Sequence, residues 1–145
     1  MKREADVRQL LIANAIHLIA QGGFEMATTK ELAHCGGSPK GFKMNEAYIY
    51  RVFGSKEALY ESAFSQLDNE LFAAFRRGVQ AAGGFDRETK QRLYAFFLKA
   101  WQFILGNEER CRCYVRYYYS VYFKGQSRSA HRMLFGEMVK EMEPL

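Results

Sequence analysis

Hydroxyls, amides and cations gather in the stretch from Thr28 to Lys56, where their chemistry is recognition rather than bond-making. Thr28 and Thr29 open a short run, Lys30-Glu31-Leu32-Ala33. A threonine followed three residues later by glutamate is a capping box, which closes orphan backbone N–H groups at a helix start. The same uncovered N–H groups, aided by the helix dipole, favour a phosphate. Each threonine therefore has a structural role and an anion-binding role open to it. Asn45-Glu46-Ala47 begins a second run, Tyr48-Ile49-Tyr50-Arg51-Val52-Phe53. Asn45 there is an N-cap, Glu46 can accept from a cytosine amino group and Ala47 can touch a thymine methyl. Glu46 is equally a first-turn acid that the dipole favours, and Tyr48 and Tyr50 equally suit ordinary aromatic packing.

Three helices must position these residues. Leu32 and Ala33 form the buried side of the first, and Ile49, Val52 and Phe53 the inward side of the second. Gly54-Ser55-Lys56 breaks the second helix and starts a long one, with Ser55 as N-cap. Two short helices at this spacing are what a helix-turn-helix reader needs, the second lying in the major groove. Upstream, Leu11, Ala15, Leu18 and Ile19 recur at helical spacing, with Leu10 and Ile12 beside them, and predict a scaffold helix from Val7 to Gly22. Gly22-Gly23 ends it, and Phe24 is expected to pack back. Met1 to Asp6 is expected to fray, with Lys2 and Arg3 either solvated or reaching phosphates.

At these residues the sequence resembles the TetR family of bacterial transcriptional repressors. The resemblance rests on Gly23-Phe24, Thr28-Thr29 and Leu32-Ala33, then on Tyr48-Ile49-Tyr50-Arg51-Val52-Phe53-Gly54-Ser55-Lys56-Glu57-Ala58-Leu59. It implies an all-α fold, with a helix-turn-helix head over residues 1–56 and a helical effector-binding and dimerisation body over 57–145. It also makes Tyr50 and Lys56 phosphate contacts; with them, Thr28, Thr29, Lys43, Asn45, Glu46, Ala47 and Tyr48 form the expected DNA-binding set. Asn14 stands where the family usually has alanine, so it is expected to touch a neighbouring backbone. Two departures stand out. Cys35 to Lys43 inserts several residues into a turn that the family keeps short; it either bulges outward or spoils the crossing of the two helices. The family also continues through two further helices that pair across a twofold axis. Here either Ser129 to Met142 makes the dimer, or the sequence is truncated.

The bulk numbers fit a cationic protein with a core. The 145 residues are 48% hydrophobic and carry a net charge of +5. Residues 1–56 hold eight Lys/Arg against five Asp/Glu, and 57–145 hold thirteen against eleven, so the head is the more basic part per residue. That favours a polyanionic partner. Cys35, Cys111 and Cys113 form no disulfide framework, and no His/Cys spacing suits a structural metal. No glycine-rich phosphate loop and no nucleophile–His–acid set points to an enzyme or a cofactor. No membrane span is predicted, and the cytoplasm is the expected location.

After Ser55 a long helix is predicted to about Ala82, ended by Gly83-Gly84, with Leu59, Ala63, Leu67, Leu71, Ala74 and Phe75 as its stripe. A next helix is capped by Asp86 and ends at Leu105-Gly106, with Leu93, Phe96, Phe97, Ala100, Trp101 and Ile104 inward. Another follows from Asn107 to Lys124-Gly125, and a last from Ser127 or Ser129. Residues after Lys56 hold 17 of the 22 aromatic rings. These rings either fill a core or wall a pocket for a flat or greasy effector, with Phe97, Trp101, Tyr114, Tyr117, Tyr118 and Tyr122 as candidates. The expected function is a sequence-specific, homodimeric repressor that binds a double-stranded DNA operator and is released by such an effector. The alternative is a helical interaction or ligand-sequestering module that keeps the fold and has lost operator binding.

Overall fold

The computed structural model describes residues 2–81 and 88–142, and among these it is all-α, with seven helices and no strand. The helices are α1 (Lys2–Gly22), α2 (Thr29–His34), α3 (Ala47–Phe53), α4 (Lys56–Ala81), α5 (Thr89–Gly106), α6 (Glu108–Tyr118) and α7 (Gly125–Met142), with a 3-10 turn at Phe24–Met26. The chain divides by compactness into two units, Met1–Phe64 with Glu109–Phe123, and Ser65–Glu108 with Lys124–Leu145. One division falls inside α4, the long helix in which the head-to-body transition is expected.

The first unit is built on α1. Val7, Leu11, Ile12, Ala15, Ile16, Leu18 and Ile19 are buried, as the helical spacing predicts. The charged start expected to fray is instead helical from Lys2, and the Arg3 guanidinium lies 5.6 Å over the Phe42 ring. Asn14 is buried and donates to the Leu32 carbonyl at 2.8 Å, so α1 fastens α2 through the one polar group in its apolar face. At the other end of α1, the last carbonyls accept from Arg116, which donates to Ala20 at 2.9 Å and also to Ile19, whose carbonyl already accepts from the Gly23 amide.

Rings complete this unit. Phe64 stacks on Tyr114 and Tyr117 at 4.9 and 4.5 Å, and Phe24 meets Tyr60 and Tyr122 at 5.1 and 4.7 Å. Tyr60 donates to the Ala27 carbonyl at 3.2 Å, and burial pushes its hydroxyl up to about 12. The Cys113 thiol, also buried, is pushed up to about 12 by desolvation. The helix expected to continue to Lys124 stops at Tyr118, because Ser120 turns the chain. Its hydroxyl donates to the Tyr117 carbonyl at 2.7 Å and accepts from the Tyr122 amide at 3.1 Å.

In the second unit the end of α4 packs on α5. A Cβ at Gly78 would fall 2.5 Å from the Lys99 Cβ, so the glycine permits this close approach. Phe75 meets Phe96 at 4.8 Å nearby. His131 of α7 sets Nδ1 3.0 and 3.1 Å from the two carboxylate oxygens of buried Asp68. The face of α5 differs from expectation. Phe96 and Ala100 are partly covered, but Leu93, Phe97, Trp101 and Ile104 are exposed, Phe97 at 65% and Trp101 at 60%. Among the described side chains of this helix the buried one is Arg92. An apolar stripe broader than one contact face leaves tertiary packing to choose the face, and Gly78 chooses the side carrying Lys99 and Phe96. Asp86 and Gly83-Gly84, expected as cap and helix end, lie outside the described residues. The last helix begins at Gly125, ahead of the expected Ser127 or Ser129. The described residues contain no helix long and apolar enough to cross a membrane.

Candidate nucleic-acid interface

The start of each short helix is fixed by a side chain. Thr28 Oγ1 accepts from the Glu31 amide at 3.2 Å, the forward half of the expected capping box. Asn45 Oδ1 accepts from the Ala47 amide at 2.9 Å and so caps α3, whose helical backbone already includes Glu46. Ser55 Oγ accepts from the Ala58 amide at 3.1 Å, capping α4. Gly54 separates α3 from α4 with φ 87°, a conformation that side-chain-bearing residues avoid. These caps orient the starts of α2, α3 and α4 within one compact unit.

The two short helices are tied to each other as well. Thr29 Oγ1 donates to Glu46 Oε2 at 3.0 Å, joining the starts of α2 and α3. Ile49 is fully buried, so α3 is seated on its expected inward side, whereas Tyr50 is 53% exposed. Asn45, Glu46 and Ala47 are exposed, as are Thr28 and Lys43; Thr29 and Lys56 are partly covered. Val52 and Phe53 are only partly covered, and the Arg8 guanidinium lies 4.7 Å over Phe53.

The insertion is pinned at its far end. Cys35 to Ser38 is exposed, but Met44 is buried and its amide is 3.4 Å from the Ser38 hydroxyl. Phe42 packs on Tyr48 with ring centroids 5.0 Å apart, and Arg51 lies 4.9 Å over the other partner, Tyr48. Arg3, Glu4, Val7, Phe42, Tyr48, Arg51 and Val52 line a cleft of about 310 Å³ beside α3. Sequence reasoning missed the roles of Phe42 and Met44. Their signal was two apolar residues flanking Lys43 in a segment otherwise rich in glycine.

The aromatic candidates for an effector fall in both units. Tyr117 is buried in the first and donates its hydroxyl to the Tyr122 carbonyl at 3.0 Å. Tyr114 and Tyr118 stack at 6.5 Å in the same unit. Phe97 and Trp101 stand exposed in the second.

No protein-family model and no curated protein matches the sequence. Solved structures do. A TetR family transcription regulator from Marinobacter aquaeolei VT8 superposes with a TM-score of 0.76 over 99% of this chain at 15% identity. One from Shewanella sp. PV-4 gives 0.75 over 92% at 20% identity. The fold is that of a TetR family regulator. The chain spans 70% and 66% of the lengths of these two TetR structures. At such identities the TetR likeness is one of backbone architecture, and side-chain roles must be argued from this chain's own residues.

Proposed function

We propose that this protein is a DNA-binding transcription regulator whose α3 reads the major groove. The observation that carries the reading is the Thr29–Glu46 hydrogen bond, which holds the starts of α2 and α3 together as a reading surface requires. Thr28, Thr29, Lys43, Tyr50 and Lys56 contact phosphates, while Asn45, Glu46 and Ala47 face base edges. Tyr48, braced by Phe42, holds Arg51 in place. The protein acts in the cytoplasm as a homodimeric repressor, with two copies presenting α3 to half-sites about 34–36 Å apart. Release follows when a small hydrophobic or aromatic effector biases α4, which runs through residues of both units. Residues 1–56 are the reading head and 57–145 the regulatory body in this scheme, with Phe97 and Trp101, both exposed on α5, as effector contacts.

A second reading, a helical interaction module without operator binding, draws on the same bond. It engages the Glu46 carboxylate that would otherwise accept from a base. A salt titration of binding to duplex DNA separates the two. The regulator shows steep salt dependence from counterion release, and Lys56→Ala lowers the slope by about one unit. A flat titration for the unaltered protein supports the interaction module.

A further inference from the structure

We propose that the cleft beside α3 is a binding site for an aromatic monocarboxylate, with its ring against the apolar walls and its carboxylate on Arg51. Three stretches of chain build this cleft, all of them within the first unit. On α1, Arg3 and Val7 stand four residues apart and so share a face, with Glu4 beside them. On α3, which packs against α1, Tyr48, Arg51 and Val52 repeat the same helical spacing. The insertion supplies Phe42, whose ring packs on Tyr48. The cleft therefore owes one wall to residues that a short turn between α2 and α3 would lack.

The volume, about 310 Å³, is at the lower end of the roughly 300–1,000 Å³ that ligand sites occupy, which suits one or two rings. Val7 is buried, Phe42, Tyr48 and Val52 are half-buried, and Arg3, Glu4 and Arg51 are exposed. Apolar walls under a charged rim reward a ligand that is flat at one end and ionised at the other. The Arg51 guanidinium lies 4.9 Å over the Tyr48 ring and that of Arg3 lies 5.6 Å over Phe42. A guanidinium resting on a ring is held in place while its N–H donors stay available to a carboxylate. Among the described residues neither arginine, nor Glu4, forms an ion pair. Arg51 is the better seat for the anion, because Tyr48 beneath it is braced by Phe42, whereas the charge of Arg3 is offset by its neighbour Glu4. That acid also repels a second negative charge, so the rim favours a monoanion over a dianionic phosphate. A bare phosphate would, besides, leave Val7, Val52 and the two rings without a partner. The site stands independently of the DNA-binding reading.

The test is calorimetric titration of the whole chain at constant ionic strength with 2-naphthoate, its uncharged counterpart 2-naphthamide, and inorganic phosphate. 2-Naphthoate should bind saturably. The amide, which loses the charge-assisted bond, and phosphate, which loses the ring contact, should each bind at least about tenfold more weakly. Arg51→Gln should weaken 2-naphthoate by about tenfold or more, and Arg3→Gln by about twofold, as expected of an exposed, offset charge. Trp101→Ala, on α5 of the second unit, should leave the affinity unchanged. No saturable binding, equal affinity for naphthoate and amide, or equal affinity of the unaltered protein and Arg51→Gln would each overturn the proposal. A loss of binding in Trp101→Ala but not in Arg51→Gln would place the ligand in the second unit and overturn it too. Should Arg51→Gln fail to fold, the Val7 and Val52 methyl signals of the unaltered protein decide by NMR. Saturable shifts of both on naphthoate titration support the site, and unmoved signals exclude it.

Discussion

The two compact units treat their polar groups and their rings differently. In the first, Asn14, Arg116, Tyr60 and Tyr117 all spend their hydrogen bonds on backbone carbonyls, and rings stack on rings around Phe64. In the second, among the described residues, Arg92 Nε and Nη1 are buried without acceptors, and α5 shows Tyr94, Phe97, Trp101 and Leu105 at 60% exposure or more. Among the described residues, α5 of the second unit leaves an apolar face exposed.

The sharpest way to break this contrast is to remove one ring from each unit. Tyr117→Ala should destabilise by about 3–5 kcal/mol, the range for emptying a packed aromatic site, whereas Trp101→Ala should change stability by no more than about 0.5 kcal/mol. Chemical denaturation measures both, and similar losses would end the distinction. Next in size is Arg116→Met, which strips a charged donor from the α1 carbonyls and should cost about 1.5–3 kcal/mol. A loss below about 0.5 kcal/mol would mean that water replaces Arg116 at little cost.

Capping gives a smaller, two-sided comparison. Ser55→Ala should cost about 1 kcal/mol at the capped start of α4. Glu88→Ser, which supplies a cap to α5, should gain about 0.5–1 kcal/mol. If both substitutions destabilise, α5 is not open at its start. The smallest effect is confined to alkaline pH. Tyr60 and Cys113 are raised in the folded state to about 12 from ordinary values of 10.0 and 9.0. The unfolded chain loses these protons first, so their contribution is intact below pH 9 and is lost as pH rises from 9 toward 12. Tyr60→Phe with Cys113→Ala should flatten that decline, and an unchanged slope would place the lost protons elsewhere.

Much of the first unit was legible in the letters because its signals are local. Threonine, asparagine and serine caps act within three residues of their targets, and the stripe from Val7 to Ile19 repeats along a single helix. The expectation that Asn14 would meet a neighbouring backbone was met by Leu32. Other features depended on partners far along the chain. Nothing near Arg116 in sequence announces the carbonyls of Ile19 and Ala20, and nothing near Thr29 announces Glu46.

What the sequence alone determined is the set of helices, the caps at Thr28, Asn45 and Ser55 and the seating of Ile49, since these follow from short-range hydrogen bonding and periodicity. Tertiary structure decided which face of α5 is covered and where the insertion is pinned. Those outcomes depend on which surfaces meet: the bare Gly78 draws Lys99 close, and Phe42 finds Tyr48. A pattern of apolar residues wide enough for two faces contains no information about which one will be used.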